Sequence, residues 1–301
     1  MKIILNRSYF NLFLIFFFFA SVHIQCTNGF ENVIEINEDV FEEKIAVTAQ
    51  LYVDSLPSIT ISKNINISNN NFPIIEDAAV NLISNNESYP FEFNDQALRY
   101  EPVIPFDLEL LKNYELQVNH STLGNTSARQ QLLSSPTEIE VIPSTSIFNS
   151  DSSLNLSTEF TLSFKDPKNE ENFYIIEGES IGKRLDFDLN DTIYDRRLMG
   201  VKSSSNLVEF KTLWRIYLRD EHLDGETITI PFYCLSVHNT AYQMKVNLTS
   251  TTREGYLHEL SITKYQESLD NPFVEPVIIF SNMEGGLGVF SLNSLSTFSF
   301  P

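Results

Sequence analysis

Cysteine is nearly absent from this 301-residue chain: only Cys26 and Cys234 occur. Two cysteines allow at most one disulfide, so no cross-linked framework stands in for a hydrophobic core. Basic side chains are scarce. Twenty Lys and Arg face forty Asp and Glu, for a formal net charge of −20. So acidic a surface repels nucleic acid and anionic headgroups. After Ala20 there is no apolar run of the roughly 20 residues that a membrane-crossing helix needs. Heptads and long-period repeats are missing too, which excludes coiled coils and solenoids. What remains is a hydrophobic content of 42%, with 24 Phe, sufficient to build an apolar core.

The start of the chain carries its address. Lys2 and Arg7 precede an apolar stretch, Leu12 to Ala20, and Cys26 follows shortly after. A basic start, a short apolar core and a break into polar sequence make a secretory signal peptide, here residues 1–25. Acylation of Cys26 as the first mature residue would tether the protein to a membrane surface without spanning it. Gln25 stands where lipoprotein processing favours a small residue. Ordinary secretion, with Cys26 an incidental thiol, is therefore the alternative, and an uncleaved anchor the third reading. Residues 26–43 are acidic and read as a tether.

Period-two alternation dominates the rest. Lys44–Val53 places Ile45, Val47, Ala49 and Leu51 on one face. Strands are also expected around Ile59–Ile67, Ala78–Ser84, Tyr89–Phe93, Tyr114–Val118 and Glu138–Ile142. The polar stretch after Pro143 marks a boundary, giving a β-sandwich over 44–148 and a second β-rich domain over 149–301. The second half predicts strands at Glu159–Phe164, Phe173–Ile176, Lys183–Leu189, Leu207–Phe210, Thr227–Leu235, Ala241–Leu248, Val277–Phe280 and Gly288–Leu292. One segment breaks the pattern. Leu257, Leu260, Ile262, Tyr265 and Leu269 fall near helical spacing after Thr251 or Thr252 as cap. The expected fold is mostly β: two antiparallel sandwich parts, the first immunoglobulin-like or transthyretin-like, the second carrying one amphipathic helix.

Few constellations point to chemistry. Gly178-Glu179-Ser180-Ile181-Gly182 matches the G-x-S-x-G nucleophile elbow, but the helix that should follow is missing, and a hairpin loop is expected instead. His222, His238 and His258 lie downstream without a local mark of a base. Asp220, His222, Asp224 and Gly225 occupy positions 1, 3, 5 and 6 of a calcium-loop pattern. His222 is a poor calcium ligand and Pro231 replaces the closing glutamate, so an acidic hairpin turning at Asp224-Gly225 is expected. Asp186, Asp188 and Asn190 alternate along one strand face and form a weak surface calcium candidate. Cys234 and His238 would stand about 13 Å apart on a strand, too far to share a metal unless the strand ends between them. No catalytic residue and no cofactor is expected.

Several segments carry a resemblance. They are Phe164-Lys165-Asp166-Pro167 with Asn172-Phe173-Tyr174, the acidic turn Asp220-Glu221-His222-Leu223-Asp224-Gly225, and Asn271-Pro272-Phe273 with Glu275-Pro276. The most specific is the tail, Ser281-Asn282-Met283-Glu284-Gly285-Gly286-Leu287-Gly288-Val289-Phe290. Together with the leader ending in Cys26, they make the chain resemble a Bacteroidota lipoprotein family known as domain-of-unknown-function family 4249. The resemblance implies an outer-membrane lipoprotein, on the cell-surface or periplasmic face, often encoded beside a TonB-dependent receptor, with no established activity. The expected role is a non-enzymatic accessory or ligand-binding partner of a TonB-dependent transporter; a structural or adhesive surface protein is second and a serine hydrolase third. Three of the ten glycines fall within Gly285–Gly288. Met283, Gly285, Gly286, Leu287 and Gly288 are thus either a partner-docking loop or a turn that closes the sandwich.

Overall fold

The computed structural model describes residues 42–65, 73–144, 157–186, 191–221, 223–235, 241–269 and 277–300. Residues 43–301 form one compact unit. Its strands are β1 (Ile45–Tyr52), β2 (Thr60–Lys63), β3 (Ala79–Ser84), β4 (Glu87–Asn94), β5 (Arg99–Pro102), β6 (Asn113–His120), β7 (Gly124–Gln131) and β8 (Thr137–Pro143). They continue as β9 (Ser157–Lys165), β10 (Phe173–Asp186), β11 (Asp191–Lys202), β12 (Phe210–Lys211), β13 (Arg215–Arg219), β14 (Thr227–Leu235), β15 (Ala241–Thr251) and β16 (Leu287–Phe300). Among the described residues there is one helix, α1 (Arg253–Leu269), between β15 and β16. The mostly-β fold with one helix is as the alternation of the sequence implies.

The strands do not sort by halves of the chain. A five-stranded antiparallel sheet runs β5-β4-β3-β6-β7. The larger sheet runs β2-β1-β16-β15-β10-β11-β14-β9-β8, with β12 and β13 attached beside β10. It therefore contains β1, β2 and β8 from the first half, and no sheet boundary falls at 148. The join is β1 on β16, a parallel pair in which Ala46 meets Leu287 and Tyr52 meets Asn293. This corrects the expectation of wholly antiparallel pairing. A local alternation reveals which face of a strand is buried, but not which distant strand lies beside it.

The cores, by contrast, nearly follow the two halves. In the first, Ile45, Val47, Ala49 and Leu51 of β1 pack with Leu82, Leu116 and Val118 of the small sheet, and with Phe290 and Leu292 of β16. In the second, β9 and β14 fold over β10, β13 and β15, burying Phe160, Phe164, Ile176, Leu218, Ile230, Phe232 and Val246. The Phe164 and Tyr174 rings meet edge-on with centroids 4.7 Å apart.

Three local expectations change. Val277–Phe280 is not a strand, and Ile278 is 89% exposed. Leu207–Phe210 shrinks to the two residues of β12. In α1 the buried face is Tyr256, Leu260 and Thr263, while Tyr265 and Leu269 are exposed. Thr252 caps the helix, its Oγ1 accepting from Gly255 N–H at 3.3 Å. Arg215, between Glu177 and Glu259, ties α1 to the sheet beneath.

Candidate functional site

The tail turn lies at the edge of the first core and enters it through Met283. Met283 is 6% exposed and packs there, so it offers no surface to a partner; this corrects its reading as an apolar contact. Glu284 exchanges main-chain hydrogen bonds with Ser127 of β7. At Gly288 the backbone adopts φ +104°, and a Cβ there would lie 1.9 Å from Val47 O. Only glycine lets β16 settle against β1 at this point. Gly286 and Gly288 are half-buried, and Gly285 and Leu287 are exposed.

Ser180 is equally far from its suggested role. The G-x-S-x-G segment is neither elbow nor hairpin loop but the middle of β10, which runs on to Asp186 with a register shift against β15 between Ile181 and Gly182. Ser180 is registered with Arg197 of β11 on one side and Met244 of β15 on the other. It is fully buried, with Oγ 3.5 Å from Arg197 O. Gly178 is explained by packing: a Cβ there would meet Cys234 Sγ at 2.8 Å. Burial pushes the Cys234 thiol up to about 12, which leaves it inert. His258 is buried, its Nδ1 2.6 Å from Phe280 O. Cys26, Asp188, Asn190, His222 and His238 lie outside the described residues, and Asp186 ends β10.

What the fold does assemble is a group of carboxylates that the sequence keeps apart. β9 pairs with β14, ending at Lys165 opposite Thr227. β10 pairs with β13, beginning at Phe173 opposite Arg219. The connections 166–172 and 220–226 must therefore lie side by side. The second is no hairpin, because β13 and β14 pair with other strands and not with each other. Hydrogen bonds stitch the two turns together. Asp166 N–H donates to Glu226 O at 3.0 Å and Asp220 N–H to Asn172 O at 3.3 Å. Gly225 N–H reaches Asp166 Oδ2 at 3.0 Å, and Asn169 N–H reaches Asp224 Oδ1 at 2.5 Å.

Oxygens of Asp166, Asp220 and Asp224 lie within 4.8 Å of one another. Asp166 and Asp220 are buried and Asp224 is exposed. Burial raises the Asp166 carboxyl; the Tyr174 hydroxyl and Gly225 N–H oppose this, and Asp224 and Glu170 reinforce it. Burial likewise pushes Asp220 up to about 6, with Asp166 and Asp224 adding to the rise against a main-chain bond from Asn172. Asn172 is itself fully buried. Its Nδ2 donates to Pro167 O and Glu170 O, while its Oδ1 finds no hydrogen-bond partner among the described residues.

Asp220 and Asp224 stood out in the sequence as an imperfect calcium loop. Asp166 appeared there only as part of Phe164–Pro167. Nothing local links the two segments; their meeting follows from two long-range strand pairings.

The model of the family described as "Domain of unknown function (DUF4249)" matches residues 31–298. No curated protein matches the chain. Among solved structures, one described as "Complete structure of manganese lipoxygenase of Gaeumannomyces graminis and partial structure of zonadhesin of Komagataella pastoris" aligns at 9% identity. It covers 69% of this chain and 88% of that one, with a TM-score of 0.21, too low to carry an argument.

Proposed function

The chain belongs to the DUF4249 family, and from that premise we propose that it is a Bacteroidota outer-membrane lipoprotein without enzymatic activity, serving as accessory or ligand-binding partner of a TonB-dependent transporter. The observation that carries this reading is the order of the parts. An apolar leader ends at Cys26, a short acidic lead follows, and a compact β-rich unit begins at Glu43. That arrangement suits a folded module held at a membrane surface. The placement of Ser180 supports binding over hydrolysis, because a nucleophile must be reachable and beside a base.

The experiment is fractionation joined to partner capture. Wild-type protein should be found in the outer-membrane fraction and co-purify from mild detergent with one β-barrel. Cys26→Ala should leave the membrane fraction or fail to mature. A fluorophosphonate probe should not label Ser180. Unchanged membrane retention and mature mass in Cys26→Ala would refute the anchor. Co-purification of the wild type with no barrel would refute the partnership in favour of a structural or adhesive role, and labelling lost in Ser180→Ala would restore the hydrolase.

A further inference from the structure

We infer that the two stacked turns bind a calcium ion, held by the carboxylates of Asp166, Asp220 and Asp224 and by the side-chain oxygen of Asn172. This rests on no part of the transporter reading. Ligands on opposite sides of a calcium ion, each at 2.3–2.6 Å, are about 4.6–5.2 Å apart. The three carboxylates keep their oxygens within 4.8 Å. A set of that span can surround a single ion.

The burial pattern asks for a cation. Asp166 and Asp220 are 3% and 4% exposed, and the charges acting on them are further carboxylates. Buried carboxylates are paired or bound to metal, since leaving them uncompensated is costly. The stem of Lys168 crosses Gly225 at the rim of the cluster.

Asn172 provides the independent observation. It flanks Asp220 through its main chain, and it keeps a buried amide oxygen that no group among the described residues satisfies. A buried acceptor without a donor is uncommon and calls for an explanation. A metal ion beside it supplies one. The hydrogen bonds from Tyr174 and Gly225 to Asp166, and from Asn169 to Asp224, orient these carboxylates while leaving each oxygen a lone pair.

An all-oxygen set selects a hard cation. Magnesium demands a near-ideal octahedron at 2.0–2.1 Å, whereas calcium accepts irregular ligands from loops and fills its shell with water. The consequence would be mechanical: one ion would clamp the β9–β10 connection to the β13–β14 connection. The exposed Asp224 leaves the ion an entry path.

The test uses the full chain in detergent, stripped with a calcium chelator. Calorimetric titration with Ca²⁺ should show one tight ion per chain and a raised thermal midpoint. Terbium in its place should give luminescence sensitised by Tyr174. Asp224→Asn, at an exposed position, should keep the fold and weaken Ca²⁺ at least tenfold. Asp188→Asn, in the alternating acidic segment, should leave the affinity unchanged. No Ca²⁺ response up to about 10 mM, beyond the weakest extracellular calcium modules, would overturn the site. So would wild-type affinity in Asp224→Asn, or loss in Asp188→Asn, either of which puts the ion elsewhere. Equal affinity for Mg²⁺ would overturn the assignment to calcium.

Discussion

Asp220 takes its character from position. On a surface its carboxyl would ionise near 3.8; burial next to Asp166 pushes it to about 6. Between those values the folded chain holds a proton that the unfolded chain has lost. The folded state binds more protons there, so stability falls as pH rises through the window. In chelator, wild-type protein should therefore melt higher at pH 5 than at pH 7. Asp220→Asn should show a smaller gain, because the remaining gain comes from Asp166 and from relief of the overall negative charge. Melting curves of the two proteins at both pH values check this, and equal gains would contradict it. Ser180 illustrates the same dependence on surroundings. Its motif implies a nucleophile only on an exposed turn, and here both edges of its strand are paired.

Helix α1 and the strands differ in how openly the sequence declares them. β1 and β14 are visible as clean alternation, down to the buried Ile228, Ile230, Phe232 and Cys234 of β14. β7 is hidden because its inward residues include Thr126 and Gln130, so no apolar stripe marks it. β13 is hidden for the opposite reason: Ile216, Tyr217 and Leu218 are buried on both faces, one against the second core and the other under α1. In α1 itself the apolar residues spread over a wide arc, so spacing alone does not say which of them face inward. The acidic site was half legible: Asp220 and Asp224 were visible as a turn, but the approach of Asp166 depends on the β9–β14 and β10–β13 pairings. The helix gives a direct check. Tyr256 is buried among Phe173, Tyr217 and Leu260, so Tyr256→Ala should cost about 3 kcal/mol or more. Exposed Tyr265→Ala should stay within about 0.5 kcal/mol. Denaturant unfolding of both variants would expose a reversed order.

Over the whole molecule, the last strand holds the body together. β16 lies between β1 and β15, adds Phe290 and Leu292 to the first core, and brings Phe300 against Phe160 of the second. The conspicuous tail sequence is therefore needed for closure, with Gly288 admitting β1 and Met283 filling the core. Buried Met283 is closed to any partner. We propose that this body works in complex with a transporter barrel. It is tested most directly by the mass of the wild-type protein released from outer membranes in mild detergent and measured intact by native mass spectrometry. The expected result is a complex of one copy of this chain with a β-barrel, absent for Cys26→Ala. A mass corresponding to the lipidated chain alone would contradict it.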